Sequence, residues 1–350
     1  MAGKIEDIID KLNNASDASD EELKLLLLDD SEATRVYLRD KADLKRRSIY
    51  GNEVFIRGLI EFTNYCKNNC YYCGIRRDNK SLSRYRLDIA DMLECADRAY
   101  DAGCRTFVFQ GGEDLHFADD DLCRLISEIK KKYPDTAVTL SIGERSYDSY
   151  KRYYETGADR YLLRHETYDE MHYKKLHPDE MSWANRIKCL YDLKEIGYAV
   201  GSGFMVGSPF QTVENIICDI RFLQKLKPAM IGIGPYICHK DTPFASYRNG
   251  SLEMTIKVIS ILRLMFPGAL IPATTALGTL ADDGRILGIK SGANVIMPNV
   301  SPLDKRHLYS LYDNKIETGA ETVEGLDILK KQLSEAGYEI VVDVGNPKCR

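Results

Sequence analysis

The 350-residue sequence has no uninterrupted apolar run approaching the roughly 18 residues that cross a bilayer, so no membrane span is expected. Its first residues, Met1-Ala2-Gly3-Lys4-Ile5-Glu6-Asp7, hold no apolar core of the kind an export signal carries. There is no basic surplus. The 48 Lys and Arg stand against 53 Asp and Glu, a formal net charge of -5, which argues against nucleic acid as a partner. No linker, low-complexity tract or repeat of sequence interrupts the chain. There is also no second C-x2-C pair, so the usual four-ligand pattern of structural zinc is missing. Ten cysteines in a long chain without an export signal fit a reducing cytoplasm rather than a disulfide framework.

What remains is an ordinary globular composition, 44% hydrophobic and 29% charged, enough for a sizeable core. Seven cysteines are scattered singly (Cys95, Cys104, Cys123, Cys189, Cys218, Cys238, Cys349) and read as small apolar residues. The other three are not scattered. Cys66, Cys70 and Cys73 form a C-x3-C-x2-C spacing in a short polar loop directly after the apolar run 54–62. Three thiolates so close can hold three corners of an iron–sulfur cube, which normally takes four. The fourth iron then keeps an open position for a small molecule.

Residues 1–50 read as a helical extension, with caps at 17–20 before a Leu-rich helix and a second amphipathic pattern over 31–47. From residue 54 a unit repeats: apolar run, loop, amphipathic helix. The runs are 54–62, 106–110, 137–142, 160–163, 199–206, 230–236, 270–274 and 294–297. Helical patterns lie between them at 88–102, 119–132, 146–156, 182–196, 213–226, 252–266 and 283–291, and glycines at 103, 157, 197 and 292 stop four of these. Strands alternating with helices imply a parallel sheet, and eight imply a closed α/β barrel of the (β/α)8 TIM type. An open doubly wound sheet is the alternative. The expected division is 1–50 helical extension, 51–304 barrel, and 305–350 a C-terminal segment covering the barrel, with a tyrosine-bearing stretch at 306–312 laid over its mouth.

In a barrel, reactive groups collect where the strands end, and here each strand ends in polar or small residues. Gly111-Gly112-Glu113 follows strand 2; Arg164-His165-Glu166-Thr167 follows strand 4. Gly201-x-Gly203-x-x-x-Gly207 lacks dinucleotide spacing and lies in a strand, so it reads as barrel packing. The histidines at 165, 172 and 177 are too dispersed for a metal site.

The cysteine loop, with Tyr72 before its last cysteine, resembles the signature of radical S-adenosylmethionine enzymes. The resemblance implies a 4Fe–4S cluster on Cys66, Cys70 and Cys73, with the amine and carboxylate of S-adenosylmethionine on the open iron. It further implies cofactor contacts from Gly111, Gly112 and Glu113 to the ammonium, Glu166 to the ribose, Arg186 and Arg164 to carboxylates, and Tyr72, Met205 and Ile237 around the adenine. Phrases over roughly residues 50–315 are more specific: Arg57-Gly58-Leu59-Ile60-Glu61-Phe62, the Arg-His-Glu-Thr above, Pro272-Ala273-Thr274-Thr275-Ala276 and Met297-Pro298-Asn299. They resemble the HydE family of FeFe-hydrogenase maturases.

That resemblance implies a radical acting on a cysteine-bound iron carbonyl cyanide unit made by HydG, with a HydF scaffold downstream and a separate one-electron donor. Arg160, Thr139, Thr274, Thr275, Tyr309 and Tyr312 are the candidate walls for that anionic substrate. Some members of the family carry a second cluster on C-terminal cysteines. Residues 300–348 contain none, so a single cluster is expected. The alternatives are the methylornithine synthase PylB and biotin synthase, which are related radical enzymes, and a non-catalytic iron–sulfur carrier. Biotin synthase needs further cluster ligands inside the barrel that this sequence lacks. A carrier has no need of polar residues at every strand end.

Overall fold

A computed structural model describes residues 2–348; Cys349 lies outside them. Eight parallel strands close on themselves. Strand β1 runs as two segments, Glu53–Ile56 and Gly58–Thr63. It is followed by β2 (Thr106–Gly111), β3 (Ala137–Ser141), β4 (Arg160–Leu162) and β5 (Ala199–Ser202). Strand β6 begins at Met230–Ile231, β7 is reduced to bridges at Leu270 and Pro272, and β8 is Val295–Ile296. The ladder passes through Leu59↔Val108, Val108↔Thr139, Thr139↔Arg160, Tyr161↔Val200 and Gly201↔Met230. Bridges Met230↔Leu270 and Pro272↔Val295 carry it on, and Phe55↔Val295 closes the ring. The fold is therefore the barrel, not the open sheet.

The apolar runs are continuous in sequence, but several strands are broken. β1 breaks at Arg57. β5 and β6 each resume after a break, at Met205–Val206 and Gly234–Pro235, and the resumed pieces pair with each other. β7 makes no ladder; Pro272 has no N–H to give one.

Helices cover the ring. After the extension helices α1 (Ala2–Ala15), α2 (Asp20–Leu28) and α3 (Glu32–Tyr50) come α4 (Ile89–Asp101), α5 (Asp119–Lys132), α6 (Tyr147–Thr156), α7 (Glu170–Leu176), α8 (Trp183–Ile196), α9 (Val213–Leu226), α10 (Leu252–Met265), α11 (Thr275–Leu280) and α12 (Gly284–Lys290). Side-chain caps from Ser19, Ser31, Asp88, Ser146, Asp169, Ser182, Thr212 and Ser251 start eight of them. The stop at Gly157 is typical: its φ of +120° suits glycine, and its N–H donates to the Tyr153 and Tyr154 carbonyls. The extension is tied to the barrel helices by Arg221 with Asp17 and Asp20, and by Lys257, whose buried ammonium donates to the Leu27 and Asp29 carbonyls at 2.8 and 2.7 Å.

The two ends of the barrel are finished differently. At the base, a late strand β9 (Glu339–Val341) pairs in parallel with Glu53–Phe55. At the mouth, a stretch beginning with α13 (Leu303–Arg306) runs across the cysteine loop before α14 (Leu326–Glu335). Its anchors are Lys315 with the 1%-exposed Glu61, Arg285 with Glu321, and Arg306 with Glu324.

Candidate active site at the barrel mouth

The cysteine loop leaves the end of β1 and is fixed by backbone bonds from three directions. Lys67 N–H donates to the Glu113 carbonyl at 3.0 Å, Tyr71 N–H to Leu176 at 3.0 Å, and Gly74 N–H to Leu311 at 2.8 Å. The glycine pair after β2 makes the first of these possible. A Cβ on Gly112 would lie 2.1 Å from the Tyr65 carbonyl oxygen, so a side chain there would push the loop away. Gly74 is equally constrained, with the Ser310 carbonyl 2.1 Å from where a Cβ would be.

Cys66, Cys70 and Cys73 are free, half-buried thiols. Burial pushes all three above the ordinary thiol range. Burial and then the neighbouring Cys73 and Cys66 carry Cys70 well above it; burial and Cys66 carry Cys73 to about 12. The thiols thus feel one another's charge, and metal binding must displace their protons. Among the described residues no three His, Cys, Asp or Glu side chains converge as ligands of a single ion. A cube asks for something else, since each thiolate takes a different iron.

Around the loop stands a ring of charged groups. Glu113 is buried, and its side chain fills the space beside Gly143, where a Cβ would sit 1.8 Å from Glu113 Cγ. Arg186, on α8, lies 2.8 Å from Glu144 Oε1 and 3.5 Å from Glu113 Oε1. Burial works against its charge, but Glu144 and Glu113 outweigh that and hold it protonated. Arg164 and Glu166 form an ion pair at 3.0 Å. Glu166 sits at φ +64°, a conformation non-glycine residues seldom adopt and one that concentrates at functional sites. Glu113 Oε2, Glu166 Oε2, Arg186 Nε, and Arg164 Nε and Nη2 are buried and make no hydrogen bond among the described residues, for all their ion-pair contacts. Three free thiols beside buried, unbonded carboxylate and guanidinium atoms are the donor set that a three-thiolate cluster and an amino-acid headgroup need. The residues fit.

An apolar wall adjoins this ring. Met205, Leu176, Tyr236 and Phe244 pack together with Tyr71 and Tyr72, and Ile237 is buried just beyond β6. Tyr72 is held by His177. The Nδ1 of His177 lies 3.0 Å from the Tyr173 carbonyl and must carry the proton, so its Nε2 accepts from the Tyr72 hydroxyl at 3.2 Å. Burial keeps that imidazole neutral, its pKa lowered to about 3. His165, adjacent to Glu166, takes no part. It points into the core, 2.9 Å from Ser202 Oγ and 3.3 Å from Asp219.

The substrate candidates separate. Tyr309 and Tyr312 arrive from the cover, the first buried and the second half-buried, with Tyr309 reaching Gln110 and Tyr312 reaching Thr279. Thr274 Oγ1 is buried and unbonded, and Thr275 is half-buried at the start of α11. Thr139 lies deeper, lining a cavity of about 20 Å³ with Arg57, Leu162, Met230 and Gly232; its Oγ1 is also unbonded. Arg160 belongs elsewhere. It starts β4, and its guanidinium turns to the base, donating to the Val344 and Gly345 carbonyls and to Asn346 Oδ1 at 2.9–3.2 Å. It drops out of the substrate wall because the first residue of a barrel strand lies at the end away from the mouth.

The residue missed from sequence is Arg57. It breaks β1, is fully buried, and touches Met230 Sδ at 3.1 Å, while its Nε and Nη2 make no hydrogen bond among the described residues. Burial, then the charge of Arg160, lowers its pKa well below the usual range. A charged residue inside an apolar strand run is the signal that could have found it.

Residues 60–223 match the model of the radical SAM superfamily. The chain is 44% identical over 307 residues to the [FeFe] hydrogenase maturase subunit HydE of Thermotoga maritima, covering 88% of this chain and 87% of that one. It is 28% identical to 3-methylornithine synthase of Methanosarcina barkeri, over 95% of each. Among solved structures, methylornithine synthase (PylB) superposes with a TM-score of 0.85 at 27% identity, over 95% of this chain and 97% of that one. The hydrogenase maturase HydG superposes at 0.82 and 20% identity, over 97% of this chain and 76% of its own length, which speaks to the fold alone.

Proposed function

The chain belongs to the radical S-adenosylmethionine superfamily, in its HydE branch of FeFe-hydrogenase maturases, and from that premise we propose how its residues divide the work. The observation that carries the reading is the set of three free thiols ringed by buried carboxylate and guanidinium atoms without hydrogen bonds. Cys66, Cys70 and Cys73 hold the 4Fe–4S cluster. With S-adenosylmethionine bound, that cluster supplies one-electron cleavage to methionine and a 5′-deoxyadenosyl radical. Glu113 and the carbonyl side of Gly111-Gly112 receive the ammonium. Arg186 and Arg164 face the carboxylate, Glu166 accepts from the ribose hydroxyls, and Tyr72, Met205 and Ile237 enclose the adenine. The apolar wall and the cover exclude water, which protects a reactive intermediate.

Thr274, Thr275, Tyr309 and Tyr312 would supply hydroxyls to the substrate wall, with Thr139 and Arg57 lining a cavity inside the barrel. Hydroxyls backed by a buried guanidinium suit an anionic, electron-rich substrate. That is the chemistry of a cysteine-bound iron carbonyl cyanide unit supplied by HydG, with the product passed to a HydF scaffold and the electron supplied by a separate one-electron donor. The test is anaerobic maturation of apo FeFe-hydrogenase in a defined mixture with this chain as the only HydE. Hydrogen evolution that depends on it, and disappears with Cys70→Ala, is the expected result. Intact S-adenosylmethionine cleavage without activation would refute the maturase substrate and shift attention to the amino-acid rearrangement of the methylornithine synthases.

A further inference from the structure

Arg84 is half-buried behind the cysteine loop. Its Nη1 donates to the Asn64 carbonyl and to the Ile75 carbonyl at 2.9 Å. Its Nη2 donates to the carbonyls of Arg76 at 2.6 Å and Asn79 at 3.2 Å. One guanidinium thus gathers carbonyls from before the first cysteine and from after the last. Its own position is fixed from both sides. Asn64 Nδ2 donates to the Ser83 carbonyl, and Tyr85 N–H donates to Asn64 Oδ1, each at 2.8 Å. The loop has no helix or strand of its own, so this knot supplies the order that secondary structure would.

Among the described residues no carboxylate forms an ion pair with Arg84. Its Nη1 bonds the carbonyl two residues before Cys66 and the carbonyl two residues after Cys73, which sets its charge beside both thiols. Of the other arginines nearby, Arg77 is paired with Asp78 and Glu180 and Arg86 with Asp114, while Arg76 sends its guanidinium to the Asn69 carbonyl at 3.4 Å. Arginine suits both tasks. Its planar fork satisfies several fixed acceptors at once, and it stays protonated when partly buried.

We propose that Arg84 is a positioning residue for the cluster, holding the cysteine loop in ligating shape before iron arrives and placing beside Cys66 and Cys73 a positive charge that favours the reduced cluster. The proposal rests on the reading of this loop as a 4Fe–4S site. The reduction concerned is one electron from an external reductant into the cluster, with no bond made or broken. A nearby positive charge stabilises the added negative charge, so removing it lowers the midpoint potential.

The test compares wild type, Arg84→Gln and Arg84→Lys. Far-UV circular dichroism reports the fold, iron and sulfide content after anaerobic reconstitution reports uptake, and a dithionite titration followed by paramagnetic resonance reports the potential. Arg84→Gln is expected to take up several-fold less iron. Its reduced-to-oxidised ratio at a fixed potential should fall about tenfold, which is about 59 mV for one electron. Arg84→Lys keeps the charge and loses the fork, so uptake falls while the potential stays near wild type. Wild-type uptake and potential in Arg84→Gln would overturn the proposal. If Arg84→Gln does not fold, Arg84→Lys decides alone, because full uptake with a lysine would overturn the shaping role. If wild type and Arg84→Lys both bind no iron, the cluster reading itself fails and Arg84's role falls with it.

Discussion

At the base of the barrel, Arg160 donates to the Val344 and Gly345 carbonyls and to Asn346, and the chain itself completes its coordination. At the mouth, Arg164 and Arg186 are as firmly placed, yet atoms of their guanidinium groups are left without hydrogen bonds, as are atoms of Glu113 and Glu166. The same residue type is thus a clasp at one end and an open hand at the other. Burying a polar group unbonded costs on the order of 1–3 kcal/mol. Single atoms of Arg46 and Asn294 are also unbonded toward the base, but only at the mouth do unbonded carboxylate and guanidinium atoms gather beside three free thiols, the grouping that a ligand would satisfy.

The largest effect expected at the mouth is loss of a cube corner. Cys70→Ala should bind no cluster and release no methionine or 5′-deoxyadenosine from S-adenosylmethionine; retained cleavage would remove Cys70 from the ligand set. Next comes Arg186→Met, which takes from Glu144 its cation and leaves Glu113 only Lys67, at 3.3 Å. Cleavage should fall about 10- to 100-fold, in the range for residues that orient a metal site, with the fold retained in thermal melts. The comparison itself is tested by Arg160→Met. Stranding the base carbonyls should cost about 2–3 kcal/mol in denaturant unfolding while cleavage per bound cluster stays unchanged. Normal stability with lost cleavage would mean that the two ends are not divided as described. Thr275→Val is a milder probe of the substrate wall: cleavage without substrate should persist while maturation weakens several-fold.

The smallest effect is a pH dependence from His177. Its folded pKa of about 3 lies below the unfolded value of about 6.5. Between those values the unfolded chain binds the extra proton, so stability falls as pH drops from about 6.5 toward 3 and is unaffected above. His177→Asn should flatten that slope in thermal melts taken between about pH 4 and about pH 7.

The barrel and the cysteine loop are legible in the sequence because both rest on local pattern. Cysteine spacing survives any tertiary context, and glycines such as Gly157 and Gly197 stop helices where the chain needs a positive φ. The depth of a side chain in the barrel is not local. Arg160 and Arg164 lie one helical turn's worth of residues apart in sequence, but at opposite ends of a short strand, so only the strand's limits tell a clasp from a ligand contact. Arg57 escapes notice because it sits where an apolar strand residue is expected. The Glu144–Arg186 pair escapes for another reason: it joins a loop to a helix whose relative rotation no periodicity reports.

The pairing of Glu339–Val341 with Glu53–Phe55 also bears on how the molecule is born. The partners are separated by nearly the whole chain. At ribosomal speeds of about 5–20 residues per second, the late strand emerges roughly 15–60 s after the early one. For that interval one edge of the nascent barrel has open backbone groups and no partner. The arrival of the late strand therefore ends a period of exposure, when chaperone protection matters most.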